Sequence, residues 1–218
     1  MTAPRVIFGG TFDPPHLGHM AVISGLRERL ALPVLVVPNG RPPHRDAPGA
    51  SAEERLVLVR LAVAELGDPL VSVSDLEVRR NGPSYTADTL EQLHLEAPGG
   101  RLLLALGTDA AAGLPEWERA EVIFERARLV VFDRSGVAER ASSVIAELRR
   151  AGYPVPDAMA VGVMAPGLEA SEIRDRLGNG EDCSGQLSVA VRREILRAGL
   201  YRYVPGLAKT DSGIIAPA

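Results

Sequence analysis

The sequence predicts an α/β protein with a Rossmann-like open parallel sheet and helices on both faces. Short apolar runs alternate with amphipathic helical stretches along most of the chain, as they do when helices connect parallel strands. These runs are apolar on both faces, as buried parallel strands are. One further helical stretch follows the alternation, which predicts a small helical region at the carboxyl end.

The elements follow from these patterns in chain order. Apolar, strand-forming side chains predict strands at Arg5–Phe8, Val34–Val37, Val71–Val73, Leu102–Leu106 and Leu129–Phe132. Helical periodicity predicts helices at His16–Leu30, Ser51–Leu66, Thr86–Glu96, Trp117–Arg126, Val137–Ala151 and Ser188–Ala198. Together they predict a single domain over residues 1–205, with the small, polar residues 206–218 as a flexible tail.

Two of the predicted helices carry end signals. Ser51 and Glu54 have the spacing of a capping box, in which each side chain accepts a hydrogen bond from the other residue's backbone N–H. Ser188 is the predicted cap of the last helix, and Gly199 ends it.

Composition limits the class of partner. The net charge of −4 argues against nonspecific nucleic-acid binding, although a local pocket can still bind one nucleotide. Cys183 is the only cysteine, so an intrachain disulfide is excluded and a reducing compartment fits best. The first apolar run is too short for a signal peptide, and no run approaches the roughly 18 residues of a membrane helix. The sequence thus predicts a cytoplasmic protein without membrane or nucleic-acid partners, and it is compatible with a homo-oligomer.

Residues 6–19 are the most informative segment. A buried strand ends there, the chain turns through Gly9 and Gly10, and a helix begins behind two prolines. Ligands bind beyond the carboxyl ends of strands in such sheets, glycines allow close backbone approach, and helix starts bind phosphate. His16 and His19 are three residues apart, so both project from one face of the first helical turn.

Alone, these features also fit a glycine turn before a helix with two surface histidines. A zinc site is disfavoured because no cysteine or carboxylate stands at ligand spacing. The whole string, however, resembles the GGTFDPxHxGH signature of the nucleotidyltransferase superfamily, which is related to the HIGH motif of class I aminoacyl-tRNA synthetases. That resemblance implies phosphate binding by Gly9, Gly10, Thr11 and Phe12, with His16 and His19 gripping the α- and β-phosphates.

Polar residues also follow the later strands. His44 and Arg45 offer donors to a phosphate, although their Pro-rich segment fits a surface loop equally well. Asp109 follows the fourth strand, at its carboxyl end, where a carboxylate suits the hydroxyls of a ribose. Trp117, the only tryptophan, suits stacking on a flat ring, although most lone tryptophans serve packing.

Over residues 5–134, and again at 170–174 and 200–201, the chain is similar to bacterial nicotinate-nucleotide adenylyltransferases. The resemblance implies transfer of AMP from ATP to nicotinate mononucleotide, giving deamido-NAD and pyrophosphate, with Mg²⁺ entering with ATP. It implies that Trp117 stacks on the pyridine ring and that N–H groups near Thr86 and of Glu118 hold the carboxylate, favouring nicotinate over nicotinamide. The implied mononucleotide site is Thr86, Gly107, Asp109, Trp117, Glu118 and Arg134. The implied ATP site adds His44, Arg45 and Ser171, and the catalytic set is His16, His19 and Arg174.

The late motif departs from the family pattern. Ser171 and Arg174 are kept, but Glu169 and Ala170 replace two residues that usually carry hydroxyls. We expect Glu169 to face solvent, because a carboxylate beside the phosphates would repel ATP. Two alternatives remain at this point: nucleotidyl transfer to another phosphate substrate, and a nucleotide-binding regulator with impaired catalysis.

Overall fold

The computed structural model describes residues 4–43 and 48–202. The strands are β1 (Arg5–Gly10), β2 (Val34–Pro38), β3 (Val71–Val73), β4 (Leu102–Gly107), β5 (Ala127–Asp133) and β6 (Met159–Gly162). The helices are α1 (Leu17–Leu30), α2 (Ala52–Leu66), α3 (Leu76–Arg79), α4 (Thr86–Glu96), α5 (Thr108–Ala112), α6 (Ala120–Arg126), α7 (Glu139–Arg150), α8 (Ala170–Gly178) and α9 (Val189–Ala198).

The strands form one parallel sheet in the order β3-β2-β1-β4-β5-β6. This is the strand order of the doubly wound Rossmann sheet. The order in which the strands are added reverses between β1 and β4. The predicted fold class and the carboxyl-terminal helical region are therefore confirmed. The single domain over 1–205 stays a prediction, and the predicted tail of residues 206–218 lies outside the described residues.

The sheet is buried on both faces, as the apolar runs predict. In β1, Val6 and Phe8 join a core with α1, α2, α8 and α9, whereas Ile7 joins a second core with α4, α6 and α7. All three side chains are at most 6% exposed. Alternation along a single strand thus supplies two cores, one for each layer of helices.

Both predicted N-cap residues stand at the cap position, but only Ser51 makes the capping hydrogen bond. Ser51 Oγ accepts from Glu54 N at 3.2 Å, and the Glu54 carboxylate accepts from Ser51 N at 2.8 Å, which confirms the capping box. Ser188 precedes α9 as predicted, but its side chain makes no capping bond. Instead, the Glu65 carboxylate of α2 accepts from Val189 N at 3.2 Å and Ala190 N at 2.8 Å, so the cap also docks α9 on α2.

Other elements also differ from the sequence-based expectation, among them the short helices α3, α5 and α8, which were not predicted. The helix predicted from Trp117 begins at Ala120, because Arg119 has left-handed backbone geometry (φ 55°) that interrupts the helical run. Strand β6 was not predicted, since its four residues include Ala160 and Gly162, which have little strand preference.

A cavity of about 830 Å³ lies at the amino ends of β4, β5 and β6, and its lining is rich in basic side chains. Arg29, His94 and Arg126 lie in the last turns of α1, α4 and α6. Cations there compensate the negative ends of the helix dipoles. These side chains therefore have a structural explanation, and the same dipoles disfavour an anionic ligand at this edge.

No helix among the described residues is long and apolar enough to cross a membrane.

Candidate active site

Four of the predicted site residues mark the carboxyl edge of the sheet, on both sides of the point where strand order reverses. Gly9 and Gly10 end β1, Gly107 ends β4, and Arg134 directly follows β5. This crevice is where open α/β sheets bind ligands.

His16 and His19 cap each other at the start of α1. His16 Nδ1 accepts from His19 N at 3.3 Å, and His19 Nδ1 accepts from His16 N at 3.2 Å. The rings stack with their centroids 3.7 Å apart. Because both Nδ1 atoms are acceptors, the neutral rings carry their proton on Nε2. Each histidine therefore keeps one N–H donor for a ligand.

The surroundings keep these rings neutral at pH 7. Burial, helped by the charge of Arg134, lowers the pKa of His16 to about 4. Burial, His16 and Arg134 hold the pKa of His19 well below its usual value. The same interactions reveal that Arg134, assigned by resemblance to the mononucleotide, has its charge close enough to act on both imidazoles. Phosphates bound at this point would meet two neutral donors and the nearby cation of Arg134.

The loop between β1 and α1 is tightly fixed. Phe12 has left-handed backbone geometry (φ 52°), which is uncommon for a residue with a side chain. Its ring is 2% exposed and lies edge-on to Phe8 and His19, with centroids 5.9 and 4.9 Å away. Arg55 Nη1 donates to the carbonyl of Thr11 at 2.6 Å.

Asp13 connects this loop with distant parts of the chain. Its carboxylate accepts from Gly49 N at 2.7 Å, Ala50 N at 3.1 Å and Tyr201 Oη at 2.8 Å. Arg174 Nη1 donates to the Asp13 carbonyl at 2.8 Å and lies 3.5 Å from Oδ2. Arg174 is thereby held at the loop that carries the histidines by an aspartate that sequence reasoning did not assign.

Asp13 also affects the phenol that it binds. Burial, with the negative charge of Asp13, raises the pKa of Tyr201 well above its usual value. Tyr201 therefore stays protonated and remains a donor to the carboxylate.

The start of α1 offers fewer free N–H groups than a helix start usually does. Leu17 N donates to the carbonyl of Gln186 at 2.8 Å, and His19 N is engaged by His16. The expected contribution of this helix start to phosphate binding consequently comes more from the histidine rings than from its own amides.

The residues predicted for the mononucleotide are more open. Trp117 is half-buried and packs partly on the second core, and Glu118 is exposed. Thr86 is the first residue of α4. Asp109, predicted for a ribose, is 86% exposed and forms an ion pair with Arg140.

Arg119, which sequence reasoning missed, ties the two segments of this region together. Its Nη1 lies 2.8 Å from Asp88 and its Nη2 lies 2.8 Å from Glu91, both in α4. The segment that carries Trp117 and Glu118 is thereby held against the helix that begins at Thr86.

The remaining predicted residues divide into two groups. Ser171 is exposed in the first turn of α8, and Glu169 is exposed at the position before that helix, where its side chain makes no capping bond. His44 and Arg45 lie outside the described residues. Over residues 4–43 and 48–202, no group of three His, Cys, Asp or Glu side chains is arranged to hold a metal ion.

Comparison with known proteins agrees with this geometry. Residues 7–176 match the Cytidylyltransferase-like family. A probable nicotinate-nucleotide adenylyltransferase of Chromohalobacter salexigens is 39% identical over 210 residues, which cover 89% of this chain and 94% of the relative. A protein of the same name from Halorhodospira halophila is also 39% identical over 210 residues, covering 90% of this chain and 94% of the relative.

The fold also matches a solved structure. The nicotinic acid mononucleotide adenylyltransferase of Plasmodium falciparum, complexed with NaAD, superposes with a TM-score of 0.73 at 16% identity. The match covers 92% of this chain and 98% of that one, and at this identity it supports the fold alone. The family resemblance noted in the sequence is confirmed by the two bacterial relatives. The chain belongs to the Cytidylyltransferase-like family and, within it, to the nicotinate-nucleotide adenylyltransferases.

Proposed function

We propose that this chain transfers the adenylyl group of ATP to nicotinate mononucleotide, giving deamido-NAD and pyrophosphate. The observation that carries the proposal is the mutually capped histidine pair, with Arg174 anchored at the same loop. We further propose that one domain over residues 1–205 performs the whole reaction, and that the reaction takes place in the cytoplasm.

The chemistry is a displacement at phosphorus. A phosphate oxygen of the mononucleotide forms a bond to the α-phosphorus of ATP, and the bond from that phosphorus to the bridging oxygen breaks. Negative charge then develops on the leaving pyrophosphate. Such reactions are catalysed mainly by positioning and by stabilising the charge on the transferring and leaving groups.

The phosphate side of the site supplies that stabilisation. His16 and His19 donate from Nε2 to phosphate oxygens, and Arg134 adds a positive charge next to them. Arg174, with the hydroxyl of Ser171, holds the leaving pyrophosphate, since a planar guanidinium can bind two oxygens at once. His44 and Arg45 are proposed to add donors from the loop that follows β2.

The pyridine side recognises the second substrate. Trp117 stacks on the ring, and the N–H groups near Thr86 and of Glu118 hold its carboxylate. Gly107 and Asp109 receive the ribose, for which Asp109 would exchange its exposed pairing with Arg140 for the sugar hydroxyls. N–H donors suit a carboxylate better than an amide, so nicotinate is preferred over nicotinamide.

Mg²⁺ is proposed to enter with ATP, held by phosphate oxygens and water. The residues fit this arrangement, because both carboxylate oxygens of the buried Asp13 already accept hydrogen bonds from the protein. Bound in this way, the ion would neutralise part of the charge on the triphosphate.

The test is pyrophosphate release from ATP with a panel of acceptors: nicotinate mononucleotide, nicotinamide mononucleotide and phosphopantetheine. Release with nicotinate mononucleotide, at least tenfold faster than with the amide, is expected. Release with phosphopantetheine, but with neither mononucleotide, would show that the enzyme uses a different acceptor. Binding of ATP without release from any acceptor would favour the regulatory alternative.

A further inference from the structure

Arg55 is a fully buried cation whose hydrogen bonds all end on backbone carbonyls. The residue is 0% exposed. Its Nη1 donates to Thr11 O at 2.6 Å, its Nη2 to Gly40 O at 2.9 Å and its Nε to Ala50 O at 3.3 Å. The guanidinium thus joins the loop after β1, the loop after β2 and the residues just before α2.

The bond to Thr11 determines which way a neighbouring N–H points. In a trans peptide the carbonyl and the following N–H point in opposite directions, and the cis bond in this region is at Asp13–Pro14, after the turn. With the Thr11 carbonyl on Arg55, the Phe12 N–H is turned away from Arg55. The peptide before it is fixed likewise, because Asn39 N donates to Gly10 O at 2.9 Å.

The two N–H groups oriented in this way are left without partners in the protein. Neither Thr11 N nor Phe12 N donates to any residue in the described part of the chain. Phe12 has left-handed backbone geometry, and consecutive unpaired N–H groups in such a turn can together bind an anion. They lie between the end of β1 and the His16–His19 pair, where a phosphate would also meet the Nε2 donors.

We propose that Arg55 is a positioning residue for ATP binding: by anchoring the Thr11 carbonyl, it presents the Thr11 and Phe12 N–H groups to the phosphates of ATP. The inference rests on the proposed function only in taking ATP as the ligand. Arg55 does not itself touch the substrate. Its planar fork is what reaches three acceptors on three segments, and a lysine ammonium does not reproduce that geometry.

The experiment compares Arg55→Lys with Arg60→Lys on the same helix. Arg60 is exposed and pairs with Asp75 on the surface, so it controls for loss of a guanidinium from α2. ATP binding is measured by calorimetry without the second substrate, and kcat and both KM values are measured with it. For folded Arg55→Lys, we expect the Kd for ATP to rise at least tenfold and kcat to fall at least tenfold. The KM for the mononucleotide should change less than twofold, and Arg60→Lys should match the wild type.

A purely structural role would lower the melting temperature and leave ATP binding by the folded protein unchanged. Wild-type ATP affinity in folded Arg55→Lys would therefore overturn the inference. A wild-type chain that bound no ATP would instead overturn the proposed function, so the two failures are distinct.

A measurement on the wild type covers the case in which Arg55→Lys does not fold. In the ¹⁵N-labelled protein, the amide signals of Thr11 and Phe12 should shift on titration with ATP, and the shift should be half complete at an ATP concentration equal to the Kd. The inference would be overturned if saturating ATP shifted the signals of other residues in the site but left these two unchanged.

Discussion

The phosphate side and the pyridine side of the carboxyl edge are built differently. On the phosphate side the polar groups that fix the loop after β1 are buried and interlocked, with Asp13 and His16 each 4% exposed and Arg55 0% exposed. On the pyridine side they form open ion pairs, with 86% of the Asp109 side chain and 38% of the Arg119 side chain exposed. Charge develops on the phosphates during the reaction, and donors fixed in advance stabilise it most. The pyridine ring undergoes no chemistry and needs only to be recognised, so a more open arrangement suffices there.

The largest effect is expected from His19→Ala, which removes a fixed donor from the phosphate side. Loss of one such donor typically lowers turnover by about 10²–10³. Steady-state kinetics with the mononucleotide measures it, and His94→Ala at the amino edge serves as the matched histidine control. If His19→Ala kept more than half of wild-type turnover, the phosphate side would not depend on preset donors in the way that this comparison requires.

Acid should destabilise the phosphate side in particular. A histidine held neutral by folding favours the folded state above its unfolded pKa near 6.5, and that stabilisation is lost as the pH falls toward the folded pKa of about 4. His16 alone is expected to remove about 3 kcal/mol of stability between pH 6.5 and 4.

Urea unfolding at a series of pH values tests this expectation. His16→Asn is the informative variant, because asparagine can still cap α1 but does not titrate. Its stability should fall less steeply with acid than that of the wild type. Identical slopes would contradict a buried neutral His16.

On the pyridine side, Trp117→Ala should raise the KM for the mononucleotide and leave the KM for ATP nearly unchanged. Stacking of a base on an aromatic ring is worth about 1–3 kcal/mol, or roughly 5- to 150-fold. Kinetics at saturating concentrations of the other substrate separates the two constants, and Trp117→Phe should restore much of the loss. Equal changes in both constants, or a large fall in melting temperature, would indicate a packing role instead.

A smaller effect is expected from Arg119→Gln, which releases the Trp117 segment from α4. Exposed ion pairs are weak, so the KM for the mononucleotide should rise only about two- to fivefold. Arg197→Gln, which breaks an exposed pair within α9, is the control and should be silent. A hundredfold effect of Arg119→Gln would mean that the pyridine side is as tightly preset as the phosphate side.

The smallest effect is expected from Glu169→Ser. Glu169 is exposed and makes no capping bond, so the KM for ATP should change less than about twofold. A tenfold or larger fall in that KM would place the carboxylate near the phosphates and show that the altered late motif weakens ATP binding.

Sequence reasoning predicted five of the six described strands and the histidine loop because these depend on local patterns. The apolar runs specify buried strands, and His16 and His19 share a face through their spacing alone. Asp13 and Tyr201 are 188 positions apart in the chain, and no local sequence pattern predicts such a contact. Arg55 did leave a signal: it stands in line with Val59 and Ala62 on the buried stripe of α2, where a surface arginine would not lie.

The Asp13–Tyr201 contact has a consequence for the order in which the site forms during synthesis. Tyr201 emerges from the ribosome nearly 190 residues after Asp13. Until then the carboxylate lacks its phenol donor, and Arg174 joins it only shortly before. The proposed ATP site is thus begun at β1 and completed only when Tyr201 has been made. A nascent or truncated chain can hold the whole sheet and still lack a finished site.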